Sequence, residues 1–251
     1  MNVPPGYRRF EERGAIVVAR DAIIDSVREA LGAAPTDRPT LHGFASRAVG
    51  AQRYEGREAA WGITLPGTDR RVVVRHNRHG GAFRAVTGDL FLGMGRAPLE
   101  LEVCIHLRGQ GIDTPSVDGY AVYPAGLGFS RSDVMTEEVR DALDLAATLQ
   151  RVGPKTVERE FVWTAVKGLL ARLAAASARH HDLNVKNILV TANRGDGPHA
   201  LVLDVDRVTI EEDTTRADAG NRARLLRSIE KWRRLHGLQV HEDEMSLLRR
   251  A

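Results

Sequence analysis

The sequence predicts an α+β fold in two parts, strands first and helices second. Three observations carry that expectation. Short β-branched runs bounded by turn residues crowd the first 139 residues. From Asp141 onward, apolar residues recur at helical spacing. Between them in character lies one acidic, asparagine-bearing loop at 180–187. It is followed by two strand-like segments, Ile188-Leu189-Val190 and Leu201-Val202-Leu203, around a turn at 193–198. The expected organisation is a mainly antiparallel β lobe with a helix over 1–139 and a mainly helical lobe with one β-hairpin over 140–251. The boundary is expected near Glu138 to Arg140.

Taken in order, Ala15–Ala19 reads as a strand, and Asp21 is placed to cap a helix running to about Leu31. A polar linker, Gly32 to Thr40, follows. Ala59–Leu65 and Arg71–Arg75 read as strands joined by the turn Pro66-Gly67-Thr68-Asp69. Arg47 to Glu58, with Gly50 and Gly56, reads as a loop. Leu99–Arg108 is expected to be helical and to stop at Gly109-Gln110-Gly111. Gly119–Tyr123 and Asp133–Val139 complete the strands. Beyond Asp141 only the hairpin interrupts helices, among them an apolar one at Phe161–Ala178. In Asn221–His236, Leu225, Ile229, Trp232 and Leu235 form a stripe that reads as core, beside six Lys or Arg and one Glu.

Composition narrows the function. Apolar residues at 43% and charged residues at 27% are ordinary for a globular protein. No apolar run approaches the ~18 residues needed to cross a bilayer. The start, Met1-Asn2-Val3-Pro4-Pro5-Gly6, lacks the design of a signal peptide. The single Cys104 excludes an internal disulfide and suits a reducing cytoplasm, where it reads as a core thiol. A formal net charge of +3 favours anionic partners. Aromatics at 5% are too sparse for a base-stacking platform, so no nucleic-acid partner is expected.

The chemistry concentrates in His180-His181-Asp182-Leu183-Asn184-Val185-Lys186-Asn187 and Asp204-Val205-Asp206. A helix, loop, strand, turn and strand in that order bring Asp182, Asn187 and Asp204 to neighbouring loop ends. One carboxylate can then take a proton from an attacking hydroxyl, while an amide and a second carboxylate hold Mg²⁺ on a triphosphate. The other reading is a surface helix–strand connection with incidental polar residues.

These residues resemble the catalytic loop and metal-binding motif of the protein-kinase-like fold, with Asp182 and Asn187 at the spacing of H-R-D-L-x-x-x-N and Asp204-Val205-Asp206 where D-F-G stands. The resemblance implies Asp182 as catalytic base and Asn187 and Asp204 as ligands of Mg²⁺. It puts Arg75 where the phosphate-binding lysine is found, with Glu100 as its partner and Glu102 as the alternative. It places the phosphate-covering loop at Gly50 and Gly56, the adenine hinge at Glu137-Glu138-Val139, and Asn184 where protein kinases carry a lysine. No proline follows Pro198, so the A-P-E that closes a protein-kinase activation segment is absent. That implies a small-molecule or sugar acceptor rather than a protein.

The finer similarity is to the lipopolysaccharide core kinases, in their branch acting on 3-deoxy-D-manno-octulosonic acid (Kdo). It rests on the match of 180–189 to H-x-D-L-N-x-x-N-I-L, of Asp204-Val205-Asp206-Arg207 to D-x-D-R, and of Arg75-His76-Asn77-Arg78-His79-Gly80-Gly81 to R-H-x-R-x-G-G. Asn221 to Ser228 is likewise similar to N-x-x-R-L-x-R-S. This resemblance implies ATP and Mg²⁺, and a lipid-anchored acidic sugar acceptor at the cytoplasmic face of the inner membrane. Arg78, His79 and Asn184 are then expected on the acceptor side, with His76 and Arg84 in the same basic loop. The basic face of 221–236 is expected to make peripheral contact with anionic lipid. Two other readings stand beside it. One is a kinase-like phosphotransferase for heptose, an aminoglycoside or choline; the other is a non-catalytic nucleotide-binding module.

Overall fold

The structure is a computed structural model, and it describes residues 3–55, 59–78, 88–191 and 198–249. The expected sites Gly56 and His79, together with Gly80, Gly81, Arg84 and most of the 193–198 turn, lie outside the described residues. The chain forms two compact units, one of Met1–Glu102 and Ser116–Glu138, the other of Val103–Pro115 and Val139–Ala251.

The first unit is built on an eight-stranded sheet. Its strands are β1 (Tyr7–Glu12), β2 (Ala15–Arg20), β3 (Gln52–Tyr54), β4 (Ala60–Thr64), β5 (Arg71–His76), β6 (Phe91–Leu92), β7 (Val117–Gly126) and β8 (Phe129–Glu137). They lie in the order β1-β2-β7-β8-β5-β4-β3, every pair antiparallel, and β6 pairs with the far end of β8. Alternation decides the faces: in β5, Val72 and Val74 are buried while Arg71, Val73 and Arg75 are partly exposed. Two helices, α1 (Ile24–Gly32) and α2 (Leu41–Ala45), cover one face. Val27, Leu31 and Leu41 form one apolar core there with Val17, Ile63, Val72, Val74 and Met135. Gly119 is needed where β2 and β7 meet, because a Cβ there would lie 2.7 Å from the Val18 carbonyl oxygen.

The second unit begins within α3 (Ala97–Gly109), which crosses into it after Glu102. Cys104 is buried, as a core thiol should be, and donates to the Pro115 carbonyl. Then come β9 (Ala142–Asp144), α4 (Leu145–Arg151), α5 (Val157–Ala175), β10 (Ala178–His180), β11 (Ile188–Thr191), β12 (His199–Val202), β13 (Val208–Ile210), α6 (Thr214–His236) and α7 (Glu242–Arg249). Asp144 and Thr156 cap α4 and α5 with their side chains. The strands form two small sheets, β12-β11-β9 and β10-β13. Arg159, buried on α5, donates to Glu244 and to the carbonyls of Leu149 and Val152, and Trp163 Nε1 also donates to Glu244. The carboxyl of Glu244 sits below its usual range: burial opposes its charge, and these donors outweigh burial.

Several elements differ from expectation. β1 precedes the first strand expected from sequence; its Tyr7 hydroxyl reaches the Val117 carbonyl at 2.6 Å and Phe10 is buried. Asp21 starts a 3₁₀ turn and makes no capping hydrogen bond. Part of the loop Arg47–Glu58 is strand β3, and the linker before it gives way to α2. Three short strands, β9, β10 and β13, interrupt what read as continuous helix. They are too short for a period-2 signal and are held by tertiary pairing. The stripe on α6 is half right: Leu225 and Ile229 are fully buried, whereas Leu235 is exposed.

Candidate active site

Antiparallel pairing of β11 with β12 sets Ile188 opposite Val202. The Leu203 N–H then donates to the Asn187 carbonyl at 2.9 Å, which puts Asn187 beside the residue preceding Asp204. Asp204 has left-handed backbone, φ 53°, a conformation that aspartate tolerates better than most residues. A 3₁₀ turn, Val205–Arg207, follows, with the Arg207 N–H on the Asp204 carbonyl.

His180 ties the loop to this turn. Its Nδ1 accepts from the Asp182 N–H at 3.1 Å and its Nε2 lies 2.8 Å from the Leu203 carbonyl. An acceptor at Nδ1 and a donor at Nε2 fix the neutral Nε2–H tautomer. Burial holds the imidazole below its ordinary value, against the opposing pull of the Leu203 carbonyl and of Asp204, Asp182 and Asp206. His180 is itself held from behind: its N–H donates to Asn221 Oδ1, while Asn221 Nδ2 donates to the Ala178 carbonyl. The fully buried Asn221 thus pairs with the edge of β10 as a backbone amide would.

Both loop asparagines converge on one oxygen. Asn184 Nδ2 and Asn187 Nδ2 donate to the Asp182 carbonyl at 2.8 and 2.9 Å. Asn184 Oδ1 also accepts from the Lys186 N–H, so its side chain is engaged within the loop. Because Asn187 uses its amide nitrogen on Asp182, its Oδ1 is turned the other way, and with Asp204 it offers the hard oxygen donors that suit Mg²⁺. Among the described residues no cluster of three or more His, Cys, Asp or Glu forms a ligand set of its own. A site of one or two carboxylates completed by substrate phosphates is the form Mg²⁺ usually takes.

The carboxylate of Asp182 pairs with Arg224, Oδ1 to Nη2, and is about a third exposed. Ser228, one turn further along α6, accepts from the Val185 N–H at 3.2 Å. Lys186 reaches Asp144 Oδ2 and lies 5.6 Å from the Trp232 ring centre. The roles of Asn221, Arg224 and Ser228 were missed from sequence although their motif was noticed. Their spacing of three and then four residues places them on one helix face with buried Ala217 and Leu225. A polar row on a buried face is the signal that could have found them.

In the first unit, Arg75 at the end of β5 pairs with Glu100, whose side chain is 3% exposed, and Glu102 is exposed. Glu138 uses its carboxylate on Arg71 and on the Tyr54 hydroxyl, and its N–H on the Arg71 carbonyl at 3.2 Å. Burial and this carboxylate push the Tyr54 hydroxyl up to about 12. Gly62 makes room, since a Cβ there would lie 2.2 Å from Glu138 Oε1. His76 does not join an exposed basic loop. Its ring is nearly buried between Asp133 Oδ1 at 2.6 Å and Asp89 Oδ2 at 3.0 Å. Burial raises Asp89, but His76 and Arg131 outweigh that and hold its carboxyl below the usual range. Arg78 is exposed beyond the strand.

An antiparallel sheet carrying an Arg–Glu pair, and a helical unit whose hairpin presents His180, Asp182, Asn187 and Asp204, define a protein-kinase-like phosphotransferase. The chain belongs to the lipopolysaccharide kinase (Kdo/WaaP) family, whose model matches residues 48–246. It is therefore an ATP-dependent kinase that phosphorylates a sugar. A 3-deoxy-D-manno-octulosonic acid kinase of Stenotrophomonas maltophilia (strain K279a) is 30% identical over 220 residues, 85% of this chain and 81% of that one. One from Xanthomonas campestris pv. campestris (strain B100) is 31% identical over 192 residues, 75% and 71%. One from Photobacterium damsela subsp. piscicida is 26% identical over 198 residues, 77% and 78%. A solved structure of WaaP in complex with acyl carrier protein aligns with 92% of this chain and 81% of that one, with TM-score 0.54 and 17% identity, a likeness of fold.

Proposed function

We propose that the protein transfers the γ-phosphate of ATP to a hydroxyl of Kdo in the lipopolysaccharide inner core. The acceptor is lipid-anchored and is met at the cytoplasmic face of the inner membrane; among the described residues no helix is long and apolar enough to cross it. The observation that carries this reading is the pair of asparagines closed on the Asp182 carbonyl. It is the feature by which the catalytic loop is similar to the Kdo branch, and relatives bearing the Kdo kinase name support it.

In this reading Asp182 orients the acceptor hydroxyl and takes its proton as the phosphoryl group arrives. His180 and the two asparagines hold the Asp182 backbone, and Arg224 holds its carboxylate. Asn187 and Asp204 would hold Mg²⁺, which supplies neutralisation of the charge on the triphosphate. Arg75, restrained by Glu100, gives fixed positive charge to the nucleotide phosphates. Gly56, expected to help cover them, lies outside the described residues. The side chain of Glu138 fixes the end of β8, and since its N–H is engaged by Arg71, the adenine contact falls to the backbone that follows. Arg78 and His79 serve the acceptor, whereas the Asn184 amide, used at both ends within the loop, serves it only by holding the backbone of Asp182. The basic face of α6 makes peripheral contact with anionic lipid in this reading, and charge reversal there tests it separately.

The test is transfer of labelled phosphate from ATP onto a Kdo-bearing lipid, with mass spectrometry of lipopolysaccharide from cells with and without the protein. One added phosphate on Kdo is expected. Phosphate on heptose alone, or on no part of the core, would overturn the assignment of acceptor.

A further inference from the structure

The tip of the β7–β8 hairpin carries a residue in a conformation poorly suited to its type. Gly126, Leu127 and Gly128 all have positive φ, 83°, 51° and 76°. Glycine adopts this freely; a leucine does so at a cost, and turns that need it ordinarily use Asn, Asp or Gly. Leu127 is also 97% exposed, so no packing offsets that cost. Next to it, Phe129 of β8 is the direct cross-strand partner of Leu92 of β6, which sets both side chains on one face. Leu92 is 77% exposed and Phe129 40%. The Gly93 N–H donates to the Gly128 carbonyl at 2.8 Å, joining the two tips. Two exposed apolar side chains, Leu92 and Phe129, therefore share one face at one end of the sheet, and Leu127 stands exposed in the adjoining turn.

The charges within their own segments are positive, and Asp89, just outside them, pairs with Arg131. Within 90–96 and 123–131 the only charged residues are Arg96 and Arg131. Arg96 lies 5.9 Å from the Phe91 ring centre. Arg131 donates through Nε to Asp89 at 2.9 Å and its side chain is still 44% exposed. We propose that this tip is the surface by which the protein docks on an anionic lipid bilayer. Leu92, Leu127 and Phe129 enter the boundary between headgroups and acyl chains, and Arg96 and Arg131 meet the lipid phosphates. Three side chains fall far short of the ~800 Å² per partner that a stable protein interface buries. Shallow insertion into a bilayer needs no such matching area. The strain at Leu127 fits this, because strained backbone persists where a function requires the residue. The inference rests on the reading of the acceptor as lipid-anchored.

The experiment uses the full chain and a Leu92→Asn/Leu127→Asn variant, with Val157→Asp, exposed on α5, as control. Binding to vesicles of phosphatidylethanolamine and phosphatidylglycerol is measured by co-sedimentation, with phosphatidylcholine vesicles as the uncharged comparison. The parent and control should bind the anionic vesicles, and the double variant should bind them about tenfold or more weakly. Its thermal midpoint should be unchanged or higher, since Asn suits the left-handed turn. Its KM should rise for acceptor presented in vesicles and stay the same for a deacylated, water-soluble acceptor. Failure of the parent to bind anionic vesicles, equal binding by the variant, or an equal KM change on both acceptors would each overturn the proposal. So would tip-dependent self-association or capture of a protein partner with no lipid binding. Vesicle binding is read without catalysis, so a failure of the Kdo assignment would leave the binding result standing and be recognised apart from it.

Discussion

Arg224 of α6 reaches the carboxylate of Asp182, forty-two positions earlier in the chain, and pairs with it directly. The Nε of the same arginine is buried with no hydrogen-bond partner among the described residues, so the guanidinium commits to Asp182 through its outer edge. A base in solvent swings among rotamers, and one held by a guanidinium is presented in one direction.

That relationship has a kinetic consequence. Asp182→Asn should lower kcat by about a hundredfold or more while nucleotide binding persists, the loss expected on removing a general base. Arg224→Ala should lower kcat by about tenfold, and the double variant should be no worse than Asp182→Asn alone, because Arg224 acts through Asp182. Single-turnover kinetics with a separate nucleotide-binding titration decides this. A further large loss in the double variant would give Arg224 an independent role.

Metal and base separate at Asp204. Titration calorimetry of ATP with and without Mg²⁺ should show tighter binding with the metal in the parent, and Asp204→Ala should abolish that difference. Asn187→Ala should weaken it and also loosen the loop, since its amide leaves the Asp182 carbonyl. If Asp204→Ala binds Mg-ATP like the parent, Asp204 is not a ligand.

Arg75 and Glu100 should behave as a unit. Each alanine variant is expected to raise the KM for ATP by about tenfold, and the double variant by no more, giving a coupling on the order of 1 kcal/mol. Additive losses would mean that Glu100 does not work through Arg75.

His180 gives the stability a pH dependence. Burial lowers its folded value below the ordinary 6.5, so the ring stays neutral in the fold where the unfolded chain takes up a proton. The unfolded state then binds more protons as pH falls below about 6.5, and stability is lost from there down to the folded value. Urea unfolding should show falling stability from about pH 7 to about pH 5.5, and His180→Gln should flatten that slope. A parallel slope in the variant would assign the effect to other groups.

On the acceptor side, Arg78→Ala should raise the KM for acceptor and leave that for ATP nearly unchanged. The effect should shrink at high salt, because Arg78 is exposed. The reverse pattern, a higher KM for ATP alone, would make Arg78 a nucleotide contact.

Much of this was legible in the chain. The β-branched runs at 15–19, 59–65 and 71–75 announced their strands, since side chains that pack on a pleated surface are chosen locally. The catalytic hairpin was legible because its spacing is a short-range property: Asp182 and Asn187 share one loop, and two paired strands return the chain to Asp204. The helical stretch 221–236 was also visible, but its apolar stripe did not tell which members are covered. Leu225 and Ile229 are fully covered, whereas Leu235 is exposed. His76 misled for the same reason. Its company of Arg75 and Arg78 suggested an exposed basic loop, and its actual partners, Asp89 and Asp133, are thirteen and fifty-seven positions away.

The sequence by itself determined the order of strands and helices, the residue types at the catalytic hairpin and the family to which the chain belongs. These depend on local periodicity and on spacing within a few turns of chain. Tertiary structure alone decided that Glu100 rather than Glu102 meets Arg75, that Arg224 meets Asp182, that Asn221 holds β10, and that Leu127 stands exposed in a strained turn. Each of those turns on which side chain faces which across tens of residues. Burial and the demand that buried polar groups be paired settle such choices only once the chain has closed on itself.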